Sequence, residues 1–172
     1  MVSSVTKMSN RHQVREKAVQ TIFQLIRPQV PVSLDQACAF ALEAGNDPEA
    51  GFEGSDAYLD RLVQGVNQTA EELDQRISHY LAEDWTLDRL ARIDLAILRV
   101  AFYELLYVSE DEVPSKVAVN EAVELAKARK KGSEKLVNAV LRRILREGWP
   151  DIATIKRKNK RDSIAYSLPV WL

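Results

Sequence analysis

Apolar residues recur at helical intervals along most of the chain, and strand-like alternation is almost absent. In "NRHQVREKAVQTIFQLIR", Val14, Ala18, Ile22 and Leu25 form one stripe, with Asn10 placed to cap its start and Pro28 to stop it. "SLDQACAFALEAG" opens on the capping pattern Ser33 to Gln36 and closes at Gly45. The Gly, Pro and Asp of "NDPEAGFEG", 46–54, predict a loop. A long helix follows Ser55, because Leu59, Leu62, Val63, Val66, Ala70, Leu73, Ile77 and Leu81 keep a three-and-four spacing. Thr86 is placed to cap a short helix through Arg92. "RIDLAILRVAFYELLYV" is apolar on nearly every side, which predicts an enclosed central helix. Pro114 then ends the connection, Ser115 is placed to cap a helix reaching Lys131, Gly132 breaks it, and Ser133 starts a last helix ending at Glu147. The pattern predicts an all-α bundle of about six or seven helices.

Beyond Gly148 the periodicity decays. "WPDIATIKRKNKRDSIAYSLPVWL" carries a basic run and an apolar, aromatic end, so the chain divides into a helical domain, 10–147, and a basic tail, 148–172. The end of the tail would be poorly solvated alone, which suggests a segment that packs elsewhere or a chain cut from a longer one.

At 172 residues, 46% apolar and 28% charged, the chain suits one soluble domain with a real core. No apolar run approaches the roughly 18 residues that cross a bilayer, and the first residues lack the apolar centre of a secretory signal. A single cysteine, Cys38, excludes an internal disulfide and reads as a small core residue. The expected setting is the cytoplasm, away from membranes.

Charge changes the picture more than composition does. The net charge is -1, yet residues 127–161 hold 13 Lys/Arg against 3 Asp/Glu, while residues 18–126 hold 7 against 20. The first 17 residues are basic again, with Lys7, Arg11, Arg15 and Lys17 against Glu16. A basic pole suits a polyanion, and an acidic body suits a separate basic partner.

No catalytic constellation accompanies these charges. His12, His79 and Cys38 have no zinc-site spacing, and there is no glycine-rich phosphate cradle and no nucleophile elbow. Glu121 and Glu124 in "NEAVE" read as surface charges, and His79 as a surface or packing imidazole. The chain reads as a binder rather than an enzyme, with no cofactor. Arg11, His12, Gln13, Arg15 and Lys17 crowd the first helix near its start, with Gln20 further along. These donors suit single-stranded RNA, although an ordinary polar first turn would look the same. The basic joint of Lys127, Arg129, Lys130, Lys131 and Lys135 would join them if the two ends of the chain pack together. Arg99 and Glu104 interrupt the central helix. They either form pairs at the edge of the core or, with Tyr103 and Tyr107 nearby, mark a strip for a protein partner. Asn138, set among Leu136, Val137, Ala139 and Val140, is expected to tie the last helix to a neighbour.

Three stretches in order, "LDRLARIDLAILRVAFYELLY", "VPSKVAVNEAVELAK" and "LVNAVL", resemble the NusB family of antitermination factors, and "NRHQVREKAVQTIFQL" is similar to that family's arginine-rich first helix. The resemblance spans about 10–147 and implies an all-α fold of two helical subdomains without catalysis. It also implies binding to boxA-type ribosomal leader RNA, together with the ribosomal protein NusE, within the RNA polymerase antitermination complex. By position it assigns RNA contacts to Arg11, His12, Gln13, Arg15 and Gln20, and to Lys135 and Leu136. Lys127 and Lys131 join that set from the basic joint. Arg99, Tyr103 and Glu104 fall in the helix facing NusE.

The chain departs from the family pattern in its last helix. Gly132-Ser133 stands where the family has Asp-Ser, Leu136 replaces an aromatic residue and Ala139 a glycine. "GSEKLVNAVLRRILREG" and "KRDSIAYSLPVWL" instead resemble the NusB-like N-terminal domain of 16S rRNA cytosine-C5 methyltransferases and its exit segment, without their catalytic domain. The alternative is therefore a fragment or hybrid of such an enzyme, with its change of identity near Lys127, binding ribosomal RNA.

Overall fold

A computed structural model describes residues 10–44, 56–129 and 131–148. Within them lie six α-helices and one turn of 3-10 helix, with no strand among the described residues: α1 (Arg11–Leu25), α2 (Leu34–Glu43), α3 (Ala57–Tyr80), the 3-10 turn (Leu87–Arg89), α4 (Arg92–Tyr107), α5 (Ser115–Lys127) and α6 (Ser133–Glu147). The expected loop at 46–54 and the tail lie outside the described residues, apart from Gly148.

α4 is the axis of the bundle. Ten of its sixteen residues are buried, among them Leu95, Ile97, Leu98 and Phe102. Burying each such side chain contributes about 1.5–3 kcal/mol. α1 and α3 pack on one side of this axis and α5 on another, while α2 lies on α1 and α6 on α5. The stripe expected for α3 faces the core, with Leu59, Leu62, Val63, Val66, Leu73, Ile77 and Leu81 all buried. Gly65 lets α3 and α4 approach closely, since a Cβ there would overlap the ring of Tyr103.

The helix ends match the chemistry of their caps, with four revisions. As expected, Asn10 accepts from the His12 N–H, and Ser33 and Gln36 form a reciprocal capping box. Asp56, just after the expected Ser55, caps α3 by accepting from the Tyr58 and Leu59 N–H groups. The expected Ser115 cap is replaced: Ser115 is already helical, and its N–H and hydroxyl both donate to the Glu110 carboxylate. Those bonds hold the Glu110 carboxyl below its ordinary pKa. The short helix expected through Arg92 is a single 3-10 turn, and Arg92 itself opens α4. α5 stops at Lys127 instead of reaching Lys131. Its end tightens when the Arg129 N–H bonds the Ala126 carbonyl, and Gly132 then supplies the left-handed turn (φ +99°) into α6.

Candidate nucleic-acid interface

α1 carries its apolar residues on a band wider than the expected stripe. Val14, Ala18, Val19, Thr21 and Ile22 are all buried, and that band encloses Arg15 and Lys17. The Arg15 side chain is only 4% exposed and Glu104 only 1%. Arg15 Nε and Nη2 donate to the two carboxylate oxygens of Glu104 at 2.8 and 2.9 Å, and the Tyr58 hydroxyl donates to the same carboxylate at 2.6 Å. Burial opposes the charge on Arg15, but the bond to Glu104 and its charge outweigh it and keep the guanidinium above its ordinary pKa. Burial, then the same carboxylate, push the Tyr58 phenol well above its usual range. The expected surface role of Arg15 is thereby revised, and of the two readings of Glu104 the structure shows the intramolecular pair. They bond to each other inside the molecule, one from each of the two sites expected in the sequence.

Lys17 also turns inward. Its ammonium donates to the Ala41 and Ala44 carbonyls at 2.8 and 2.7 Å, closing the C-terminal end of α2 where a cation offsets the helix dipole. Burial lowers its pKa.

What remains outward on α1 is its first turn. Arg11 is exposed, with its guanidinium 3.8 Å above the centre of the Tyr58 ring. His12 Nδ1 lies 2.6 Å from Glu121 Oε2 on α5. Gln13 is half-buried, and Gln20 is half-buried with its side-chain oxygen enclosed and unbonded among the described residues. Arg129, just past the end of α5, donates to Glu16 at 2.9 Å. The pairs His12–Glu121 and Arg129–Glu16 lay α5 and the basic joint against the start of α1, the adjacency that charge alone could only suggest.

On the joint, Lys131 and Lys135 are exposed, and Lys127 is exposed while bonding Glu124 at 2.9 Å. Glu121 and Glu124, expected as plain surface charges, meet His12 and Lys127 respectively. Leu136 is half-buried and packs against the core, so it offers little free surface for stacking. Asn138 does not tie α6 to a neighbour by any described bond; its side-chain oxygen accepts from Arg142 one turn along the same helix, at 3.1 Å.

The expected partner strip falls on the α3–α4 face. Arg99 holds Asp74 through two bonds of 2.7 Å. Tyr103 is 9% exposed and stacks on Tyr107, with ring centres 5.1 Å apart. Tyr107 is exposed and donates to Glu72 at 2.6 Å; burial and then that bond push its phenol up to about 12. Tyr58, Lys17 and Glu16 were not anticipated in their roles. For Lys17 a signal existed, since it stands one turn before Thr21 and beside Ala18 on the broadened band.

Fold and rim together define a small all-helical protein with a cation-lined edge between the first helix and the last interhelical joint. Among the described residues no His, Cys, Asp and Glu group could hold a metal, and no helix is long and apolar enough to cross a membrane.

The NusB family model matches residues 12–146, and the chain belongs to the NusB family. It is 43% identical over 141 residues to the transcription antitermination protein NusB of Enterococcus faecalis, covering 80% of this chain and 90% of that one. The same-named protein of Lactiplantibacillus plantarum is 44% identical over 137 residues, covering 79% and 94%. Among solved structures, T. maritima NusB superposes with a TM-score of 0.65 at 32% identity over 82% of this chain and 94% of that one. The family match runs across Lys127, where the sequence alone suggested a change of identity.

Proposed function

We propose that this protein is a transcription antitermination factor that binds a boxA-type leader RNA, acting with the ribosomal protein NusE in the RNA polymerase antitermination complex. One observation carries the reading. The pairs His12–Glu121 and Arg129–Glu16 bring the exposed first turn of α1 and the basic joint into one rim. Arg11, His12 and Gln13 supply donors at one end of that rim, and Lys127, Lys131 and Lys135 supply cations at the other. Such a mixture suits a single strand, whose bases and phosphates are both accessible. Arg99 and Tyr107, paired with Asp74 and Glu72 on the α3–α4 face, fit the partner face. The names of the relatives and the family match support the same assignment.

The reading is tested by filter binding of boxA-type and scrambled RNA at low salt, with and without NusE. A preference for boxA that NusE strengthens is the expected result; equal retention of both RNAs with NusE present would overturn it. Arg11→Ala should weaken RNA binding and leave helicity unchanged, because Arg11 is exposed and rests on Tyr58 without anchoring it. Unchanged affinity would remove the first turn of α1 from the interface.

A further inference from the structure

Most cations among the described residues are already engaged. Arg15, Arg61, Arg76, Arg99 and Arg129 each meet a carboxylate, and Arg27 binds backbone carbonyls. The outer side of α6 differs. Val137, Val140, Leu141 and Ile144 turn into the core, and directly opposite them Lys135, Arg142 and Arg146 are exposed on one line. Lys135 has no ion pair among the described residues, and neither does Arg142. Arg146, with a side chain 72% exposed, stands 3.6 Å from Glu147, beyond hydrogen-bond reach, while Arg143 takes that carboxylate at 3.2 Å. Ala139, exposed and small, lies between Lys135 and Arg142 and leaves the line unobstructed. Asn138 accepts from Arg142 Nε at 3.1 Å, leaving its two terminal nitrogens without a protein partner among the described residues.

Helix stability does not account for this arrangement. Like charges four residues apart, as in Arg142 and Arg146, weaken a helix, and neither Lys135 nor Arg142 meets a carboxylate among the described residues that would offset it. A rise of 1.5 Å per residue sets Lys135 and Arg142 about 10 Å apart and Arg142 and Arg146 about 6 Å apart along the axis. That is a spacing over which successive phosphates of an extended strand can be met, and arginine forks suit phosphate oxygens.

We infer that the outer line of α6 (Lys135, Arg142 and Arg146, astride Ala139) is a phosphate track for single-stranded RNA flanking the element recognised at the α1 rim. This rests on the RNA-binding reading above and extends its footprint along α6. Phosphate contacts position a strand without reading its sequence, so the track adds affinity and salt sensitivity but not base preference.

The test compares two RNAs on the full chain: the boxA-type element alone, and the same element with a single-stranded extension on either side. For the unaltered protein the extension should raise affinity and steepen the fall of log K with log salt by about 1.4, from the two phosphates that Arg142 and Arg146 add at roughly 0.7 each. R142Q/R146Q, which leaves the Lys135 of the rim in place, should bind both RNAs with nearly one slope and keep its preference for the element over a scrambled one. Ala139→Glu, which sets a carboxylate in the middle of the line at an exposed position, should abolish the extension's gain without touching the core. Circular dichroism and melting curves confirm that both variants fold. If the extension still steepens the slope for both variants, the track is wrong. If poly-glutamate displaces the unaltered protein from the extended RNA and binds it with the same dependence on Arg142 and Arg146, the line belongs to an acidic protein segment and the RNA track is overturned. Loss of element preference in the unaltered protein, with the extension's gain intact, would instead count against the boxA reading alone and leave the track supported.

Discussion

At the α1–α4 junction, Arg15 is enclosed and met by Glu104 and Tyr58. Along the outside of α6, Lys135, Arg142 and Arg146 stand in solvent with no carboxylate on their line. Both groups look alike in the sequence, as basic residues of amphipathic helices. Their positions relative to the apolar residues separate them. Arg15 lies three and four residues before Ala18 and Val19 and beside Val14, inside the buried band, whereas the α6 cations lie opposite Val137, Val140 and Ile144. A charge within an apolar band is there for the fold, and a charge opposite one is available to a ligand.

The largest effect should come from breaking the enclosed pair. Glu104→Ala strands the Arg15 charge and the Tyr58 hydroxyl, and loss of one partner of a buried pair costs roughly 3–5 kcal/mol. Urea or thermal unfolding measures it. Replacing the whole group by apolar residues of similar size, as R15M/E104L/Y58F, should recover most of that loss, because desolvation of the pair is then avoided. The triple variant also sharpens the comparison on the functional side: it should keep RNA affinity, because it retains an aromatic ring beneath the Arg11 guanidinium. If its affinity falls together with that of Arg11→Ala while the fold is intact, Arg15 is a contact residue after all.

The same junction sets a pH response. The Tyr58 phenol is held above its unfolded value, chiefly by burial, and Tyr107 is pushed up to about 12 by burial and its bond to Glu72. Below about pH 10 both phenols are protonated in the folded and unfolded chain, and their contributions are complete. Above that, the unfolded chain releases its protons first, the folded state binds more, and stability falls as pH rises toward the folded values. Melting temperature should therefore decline more steeply above about pH 10 than in Tyr58→Phe. Equal slopes would show that Tyr58 does not carry the response.

Next in size is the α3–α4 contact beneath the proposed partner face. Gly65→Ala drives a methyl into the outer end of the Tyr103 ring, which is stacked on Tyr107 and must shift to admit it. Overpacking of this kind costs about 1–3 kcal/mol. Because the two sites touch, combining it with Tyr103→Ala should cost less than the sum of the separate changes, as a double-mutant cycle would report.

Much of the fold was legible. Periodicity located every helix from Asn10 to Glu147, and Asn10 and Ser33 cap as their side-chain chemistry predicts. The misread ends have physical causes. Ser115 lost its cap role to Glu110, five residues earlier, because a flexible carboxylate can reach an N–H that local patterns reserve for the serine. The site was less legible. His12 and Glu121 are 109 positions apart, so their contact had no local signal, and the burial of Arg15 depended on Val19 and Thr21, which a narrow four-residue stripe omits. Lys17 illustrates the same limit: its role is set by carbonyls at Ala41 and Ala44, which only the docking of α2 brings near.

The smallest effect should come from the α6 line, and its smallness is what the comparison requires. K135Q/R142Q/R146Q removes three charges where Glu104→Ala removes one, yet none of the three is buried. The change relieves the repulsion between Arg142 and Arg146, worth about 0.2–0.5 kcal/mol, and gives up the exposed bond from Arg142 to Asn138. The two nearly cancel, so stability should stay within about 0.5 kcal/mol of the parent, the usual range for surface substitutions. Urea unfolding resolves this by its midpoint at constant slope. A loss above about 1 kcal/mol would mean that the outer cations support the helix itself. The distinction between enclosed and available charge would then fail at the place where it matters most for ligand binding.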